Sequence, residues 1–307
     1  MFFKRNASSY KTGVIKRIID NKDCYLYLLP FFSLFFVFTV LPVIISICLS
    51  FTYYNAVEPP RFVGLLNYFN LFINDAIFLK SIKNTLIIAL FAGPIGYFMS
   101  FFFAWVISEL PPKLRAVMVT ILYAPSISGS AYLVWTLLFS GDANGYINSW
   151  LIQLGFISEP IQFLTTARYM IPIVIIVMIW MSMGTGFLSL VAGFQTIDTS
   201  MYEAGYLDGI GNRWQELWFI TLPAMKPQLL FSAIMSITGT FGVGSIVTAL
   251  FGFPSTDYAA HTIINHLQDY GTVRYEMGYA CAIATMLFVI LIGLNRGIRG
   301  LIGKVGT

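Results

Sequence analysis

Residues 84–108 read Asn84-Thr-Leu-Ile-Ile-Ala-Leu-Phe-Ala-Gly-Pro-Ile-Gly-Tyr-Phe-Met-Ser-Phe-Phe-Phe-Ala-Trp-Val-Ile-Ser108, 25 positions without a charge. As a helix this run extends about 37 Å, enough to cross the roughly 30 Å hydrocarbon core of a bilayer. Five further uncharged runs occupy residues 24–57, 116–141, 169–197, 227–256 and 277–295. Each holds the roughly 20 apolar residues that a spanning helix needs. A seventh run, 143–158, is shorter and carries Asn144, Asn148, Gln153 and two glycines, so it reads as an interfacial segment. The pattern predicts an all-α, polytopic membrane protein with six transmembrane helices.

Composition points the same way. Apolar and aromatic residues make up 57% of the 307 residues and charged residues only 10%. An average soluble domain carries roughly 25% charged residues, and a disordered chain needs high charge with low hydrophobicity. Net charge is +4, too small a bias for nucleic-acid binding. The three cysteines, Cys24, Cys48 and Cys281, have no metal-ligand spacing and form no disulfide framework. The first apolar run follows a basic tail but is too long for a secretion signal and lacks a cleavage site, so it reads as a retained helix.

Six spans put both termini on one side of the membrane. With the termini inside, thirteen of the eighteen Lys and Arg fall on that side, and Arg61, Lys80, Lys83, Arg168 and Arg274 fall on the other. Basic loops favour the cytoplasm, so both termini are expected to be cytoplasmic. The chain then divides into a basic tail (1–24), a membrane domain (25–300, its core about 80–296) and a short C-terminal tail (301–307). No span carries an ionisable residue at its centre, which disfavours proton-coupled transport. No phosphate-binding loop is present: Val305 follows Gly303-Lys304 where Ser or Thr is required. An enzyme is not expected, and any ATP would be bound by another chain.

Two features of the spans have two readings each. The stretch Ser236-Ile-Thr-Gly-Thr-Phe-Gly-Val-Gly-Ser245 either packs helices closely through small residues or lines a polar pathway with Thr238, Thr240, Gly242 and Gly244. Trp135 and Trp180 either stack on a sugar ring or anchor and pack their helices.

Residues 198–223 read Asp198-Thr-Ser-Met-Tyr-Glu-Ala-Gly-Tyr-Leu-Asp-Gly-Ile-Gly-Asn-Arg-Trp-Gln-Glu-Leu-Trp-Phe-Ile-Thr-Leu-Pro223. Two short helices are predicted. Ser200 with Glu203 fits a capping box, and Gly209 or Gly211 can take the left-handed conformation that ends the first helix. Asn212 with Gln215 repeats the capping signal, and Pro223 is expected to stop the second helix. Trp214, Trp218 and Phe219 suit a membrane surface. The small pair Ala204-Gly205 beside two acids suits a helix pressed into a groove of another protein.

Glu203-Ala204-Gly205, Asp208-Gly209 and Ile220-Thr-Leu222-Pro223 together resemble the EAA loop of permease subunits of binding-protein-dependent type I ABC importers. Two departures stand out: Gly205 and Ile210 occupy positions where that family usually has Ala, and Gly209 lies one residue further from Pro223. Tyr27-Leu-Leu-Pro30, Phe62-Val-Gly-Leu-Leu-Asn-Tyr68 and Lys83-Asn-Thr85 resemble the sugar-permease branch, which includes maltose and glycerol-phosphate permeases. The resemblance implies an importer permease fold in a prokaryotic cytoplasmic membrane and an ATPase-coupling role for Glu203, Ala204, Gly205, Asp208, Gly209, Gly211, Leu222 and Pro223. It implies a second permease subunit, two ATPase subunits that bind ATP and Mg, an extracellular solute-binding protein, and a carbohydrate substrate (oligosaccharide, sugar or polyol). A non-sugar solute such as a peptide, amino acid or phosphate is the alternative, followed by ATP-independent secondary transport.

Overall fold

The computed structural model describes residues 21–302. The tails read at 1–24 and 301–307 therefore lie almost wholly outside the described residues. Four of the uncharged runs form helices long enough to cross a bilayer: α1 (Asp23–Leu49), α2 (Ala76–Ser108), Ala167–Thr196, and the helix ending the chain. The number rises to six if each of two sharply bent helix pairs counts as one span. The first pair is the third run, in which α3 (Pro112–Ile127) turns by 84° into α4 (Ala131–Leu138). Ser128-Gly129-Ser130 supplies the break. The 143–158 run forms only α5 (Tyr146–Gln153), eight residues and about 12 Å, too short to cross.

The fourth run divides into α6 (Ala167–Trp180) and α7 (Thr185–Thr196), separated at residues 181–184. After α8 (Thr199–Leu207) comes α9 (Arg213–Ala224), which meets α10 (Lys226–Phe241) at 83°. The fifth run is thus α10 and then α11 (Gly244–Phe251), interrupted at Gly242-Val243. Glycine costs a helix interior about 1 kcal/mol, so the break falls where glycines are densest. A short α12 (Ile263–Gln268) precedes α13 (Met277–Ile302). A two-stranded ribbon pairs β1 (Thr52–Tyr53) with β2 (Arg61–Phe62).

The subunit is built around α2, which packs on α6, α7 and α10. Its buried face includes Ala92, Gly96, Ser100 and Ala104, one small residue every four positions. A helix brings such residues onto one stripe, and small residues let backbones approach. A methyl at Gly96 would lie 2.7 Å from the Ser182 Cβ. Polar side chains bridge the closest approaches: Ser236 donates to the Gly93 carbonyl at 2.9 Å and Ser100 to the Ser182 carbonyl at 3.2 Å. Pro94 lies inside α2, which nevertheless continues for 33 residues. The most apolar window of α1 is unburied, and this helix touches the rest of the chain mainly where residues 41–49 meet α13.

Candidate functional site

The hairpin α8–α9 stands at the C-terminal end of α2. Asp198, not Ser200, is the N-cap of α8; its Oδ1 accepts from the Ser200 N–H at 3.0 Å. The predicted Ser200–Glu203 capping box is therefore absent, and Glu203 makes no hydrogen bond or ion pair among the described residues. The end of α8 is a Schellman motif. Gly209, at φ +91°, donates to the Tyr206 carbonyl at 3.2 Å, and Ile210 donates to the Gly205 carbonyl at 3.0 Å. Gly209 rather than Gly211 holds the left-handed position. The Asn212 side chain caps α9 by accepting from the Gln215 N–H at 2.8 Å, while Gln215 Oε1 reaches back to the Gly211 N–H at 3.0 Å.

Gly205 faces inward. A methyl there would lie 2.5 Å from Ile220 Cδ1 and 3.1 Å from Ile210 Cδ1. Its small size thus serves contact within the hairpin, which corrects the expectation that the Ala204-Gly205 pair faces another protein. Ala204 does face out, with Glu203, Asp208, Tyr206 and Leu207; the last two are 74% and 87% exposed. Pro223 does not stop the second helix, which runs on to Ala224 before the chain turns at Met225. Residues Leu217–Thr221 form a π turn, which holds one residue more than an α turn. Tyr202 Oη and Thr221 Oγ1, 3.0 Å apart, tie the two helices together. Arg213 pairs with Glu109 at 2.9 Å, and Trp214 meets Trp105 edge to face, joining the hairpin to the end of α2.

The expected pathway residues divide into two groups. Phe231, Met235, Thr238, Gly242 and Ser245 recur at steps of three and four and are all exposed, so Thr238 and Gly242 lie on one open face. Thr240 and Gly244 point inward. Thr240 donates to the Ile237 carbonyl at 2.6 Å, and a methyl on Gly244 would lie 2.9 Å from the Ile264 Cβ. Trp135 and Trp180 meet each other edge to face at 5.6 Å, and Trp135 stacks on Phe139. Packing accounts for both rings, although the Trp135 indole N–H is buried without a partner among the described residues. Beside the open face lies a cavity of about 260 Å³ lined by Ser100, Ser182, Ser232, Ser236, Met235 and Gly239. Ser182 Oγ is buried there without a partner among the described residues. Sequence reasoning held Ser236 within its small-residue stretch but did not single out Ser100, Ser182 or Ser232. The signals were present in the four-residue repeat of α2 and in Ser182-Met-Gly-Thr-Gly186, a run of helix-poor residues inside an apolar stretch.

No family model matches the chain. It is 30% identical over 278 residues to the probable ABC transporter permease protein YesP of Bacillus subtilis, covering 89% of this chain and 87% of the relative. The chain belongs to the permease subunits of ABC transporters. The permease is also 31% identical over 230 residues to the lactose transport system permease protein LacF of Rhizobium radiobacter, covering 74% of each. Among solved structures, one chain of a bacterial alginate ABC transporter in complex with an alginate pentasaccharide-bound periplasmic protein shares its fold, with TM-score 0.76 and 23% identity over 96% of this chain and 98% of that one. The permease is accordingly a multi-pass membrane protein.

The opposite end of α2 carries a polar cluster. Asp75 caps α2, accepting from the Phe78 N–H at 2.8 Å through Oδ1. Its Oδ2 lies 2.9 Å from His266 Nε2 and accepts from Tyr279 Oη, also at 2.9 Å. Burial alone would raise this carboxyl, but the bonds from His266, the Phe78 amide and Tyr279 outweigh it and hold it at about 2. His261, 1% exposed, sits edge to face with His266. Burial, then the neighbouring His266, push the His261 imidazole down to about 4.

Proposed function

We propose that the chain is the membrane-spanning subunit of an ATP-driven importer for a carbohydrate, an oligosaccharide, sugar or polyol. Residues 25–300 are its permease domain, with a core of about 80–296 and six spans, and both termini are cytoplasmic. Asn144 and Asp269 then lie outside and Asn212 inside. A second permease subunit completes the pathway. The unburied apolar helix α1 and the open face of Thr238 and Gly242 are the surfaces such a subunit would cover. An extracellular solute-binding protein delivers the substrate, and two ATPase subunits hold the ATP and Mg. This chain holds no cofactor and performs no catalysis.

The observation that carries the reading is the hairpin. Its inner face is fixed by Gly205, Ile210 and Ile220, while Glu203, Ala204, Tyr206 and Leu207 project outward with the carboxylate unused. An apolar knob of this size, held rigid and carrying a free acid, suits a cleft in an ATPase with a basic residue at its rim. Closure of the ATPase pair then moves the hairpin as a rigid body and rocks the two permeases to face outward. An ATPase can shift that equilibrium only by the difference in its affinity for the two states, so docking is a mechanical requirement.

The test is uptake by reconstituted complex with and without ATP. Glu203→Gln combined with Gly209→Val should leave the permease pair inserted, release the ATPase subunits and stop transport. The valine strains the left-handed position and the amide removes the charge-assisted contact. Normal ATPase recovery and wild-type uptake from this double variant would overturn the docking role.

A further inference from the structure

We propose that the external face carries a binding subsite for a neutral saccharide, separate from the open face of α10; the proposal rests on the carbohydrate reading above. The subsite is a cleft of about 740 Å³ between the first external loop and the start of α13, lined by Tyr53, Asn70, Asn74, Tyr270, Glu276 and Tyr279. Ligand pockets for small molecules span about 300–1,000 Å³, so the space suits two or three sugar rings.

The walls are preorganised. Asn67 donates to the Ser50 and Thr52 carbonyls at 2.8 and 2.9 Å, and the Gly278 N–H donates to the Tyr54 carbonyl at 2.9 Å, which pins the ribbon against α13. Gly278 is required at that contact, because a methyl would meet the Thr52 carbonyl oxygen. The Asp75 cluster fixes the floor, and the rings of Tyr270 and Tyr279 lie 4.4 Å apart. Fixed walls spare a ligand the entropy of ordering them.

The chemistry left over is that of hydroxyl recognition. Tyr53 Oη, the Glu276 carboxylate and the Asn70 side-chain amide N–H group make no hydrogen bond among the described residues. An acceptor-only carboxylate, an amide donor and a phenol match the alternating donors and acceptors of a polyol, and tyrosine rings match its C–H faces. No Lys or Arg lines the cleft, and Arg274 is engaged by Asp269 at 2.7 Å and by the Tyr270 ring. With a free carboxylate and no cation, the site disfavours uronates and other anions.

The test uses the purified complex in lipid nanodiscs without its binding protein, probed by saturation-transfer NMR with lactose and with arabinotriose. At least one probe should show transfer. Glu276→Gln and Asn70→Ala should each weaken its apparent Kd about fivefold or more, and Asn70→Trp, which fills the cleft, should abolish transfer. No transfer from either probe, or transfer equal in all variants, would overturn the subsite. Variants that weaken only the affinity for the binding protein would make the cleft a protein contact, which also overturns it. Carbohydrate uptake by the complete system with a silent cleft removes this inference alone, whereas failure to take up any carbohydrate removes the reading beneath it.

Discussion

Replacing Gly205 by Ala isolates the packing inside the α8–α9 hairpin. The substitution removes a mid-helix glycine, which favours α8 by about 1 kcal/mol. Against this, the new methyl would lie 2.5 Å from Ile220 Cδ1, and Ile220 is itself only 8% exposed. Overpacking of this kind costs about 1–3 kcal/mol, so the net loss should be about 1 kcal/mol. Ile220→Val deletes the clashing atom and alone costs about 0.5–1.5 kcal/mol for the small void it leaves. In the double variant the alanine methyl occupies that void. Stability should return close to wild type, giving a favourable coupling of about 1.5 kcal/mol. Hydrogen exchange of the amides in residues 199–224, measured on the purified complex for all four members of the cycle, reads the local opening free energy. Additivity within about 0.3 kcal/mol, or greater protection in Gly205→Ala than in wild type, would refute the reasoning.

Three further outcomes are expected. Thr238→Val and Gly242→Leu should alter uptake while leaving thermal stability within about 0.5 kcal/mol, since both positions are open, whereas Gly244→Leu, at a buried position, should lower stability by over 1 kcal/mol against the half-buried Ile264; equal effects on uptake and stability at all three would show packing alone. Asn265→Ala should cost about 2–4 kcal/mol by differential scanning fluorimetry, because Asn265 Nδ2 donates to the Gly244 carbonyl at 3.0 Å and to Thr248 Oγ1 at 2.9 Å, and its Oδ1 accepts from the fully buried Thr262 N–H and hydroxyl at 3.2 and 2.6 Å, donors that the alanine leaves unmet. Acid should destabilise the permease in two stages. His261 is held at about 4 against 6.5 when unfolded, so the unfolded chain takes up the proton first and stability falls as pH drops from 6.5 to 4, by about 2 kcal/mol after allowance for screening. Asp75, held at about 2, then loses its contribution as pH falls from 3.8 through 2. His261→Phe should flatten the upper stage in a pH series of melting temperatures.

The sequence carried the helical class and the positions of the apolar runs because charge exclusion acts along the chain, on neighbours. It narrowed the left-handed turn to Gly209 or Gly211 and carried the Asn212 cap for the same reason: a left-handed turn and a cap are decided within four residues. The failures had two origins, one a local competition between caps and the others decided by which face of a helix meets the fold. Ser200–Glu203 has the spacing of a capping box, but Asp198 stands two residues earlier with a better acceptor and takes the cap. Ala204-Gly205 looked like a pair with one purpose, yet a rotation of about 100° per residue sends one outward and the other against Ile220. The same rotation separates Thr238 from Thr240. The serine cavity draws its lining from α2, α10 and the break before α7, so no single stretch announced it.

The two ends of α2 are both tied down. At one end Asp75 joins it to α12 and α13 through His266 and Tyr279; at the other, Trp105 and Glu109 join it to the α8–α9 hairpin through Trp214 and Arg213. Its 33 residues make a rod of about 50 Å. A rod of that length behaves as a lever: a tilt of about 5° imposed at the hairpin swings the far end by about 4 Å, over a sugar-sized gap. Because small residues line its buried side, few bulky side chains interlock across its contacts, and under the docking proposed above the stroke at the Asp75 end is set by how far the hairpin is drawn.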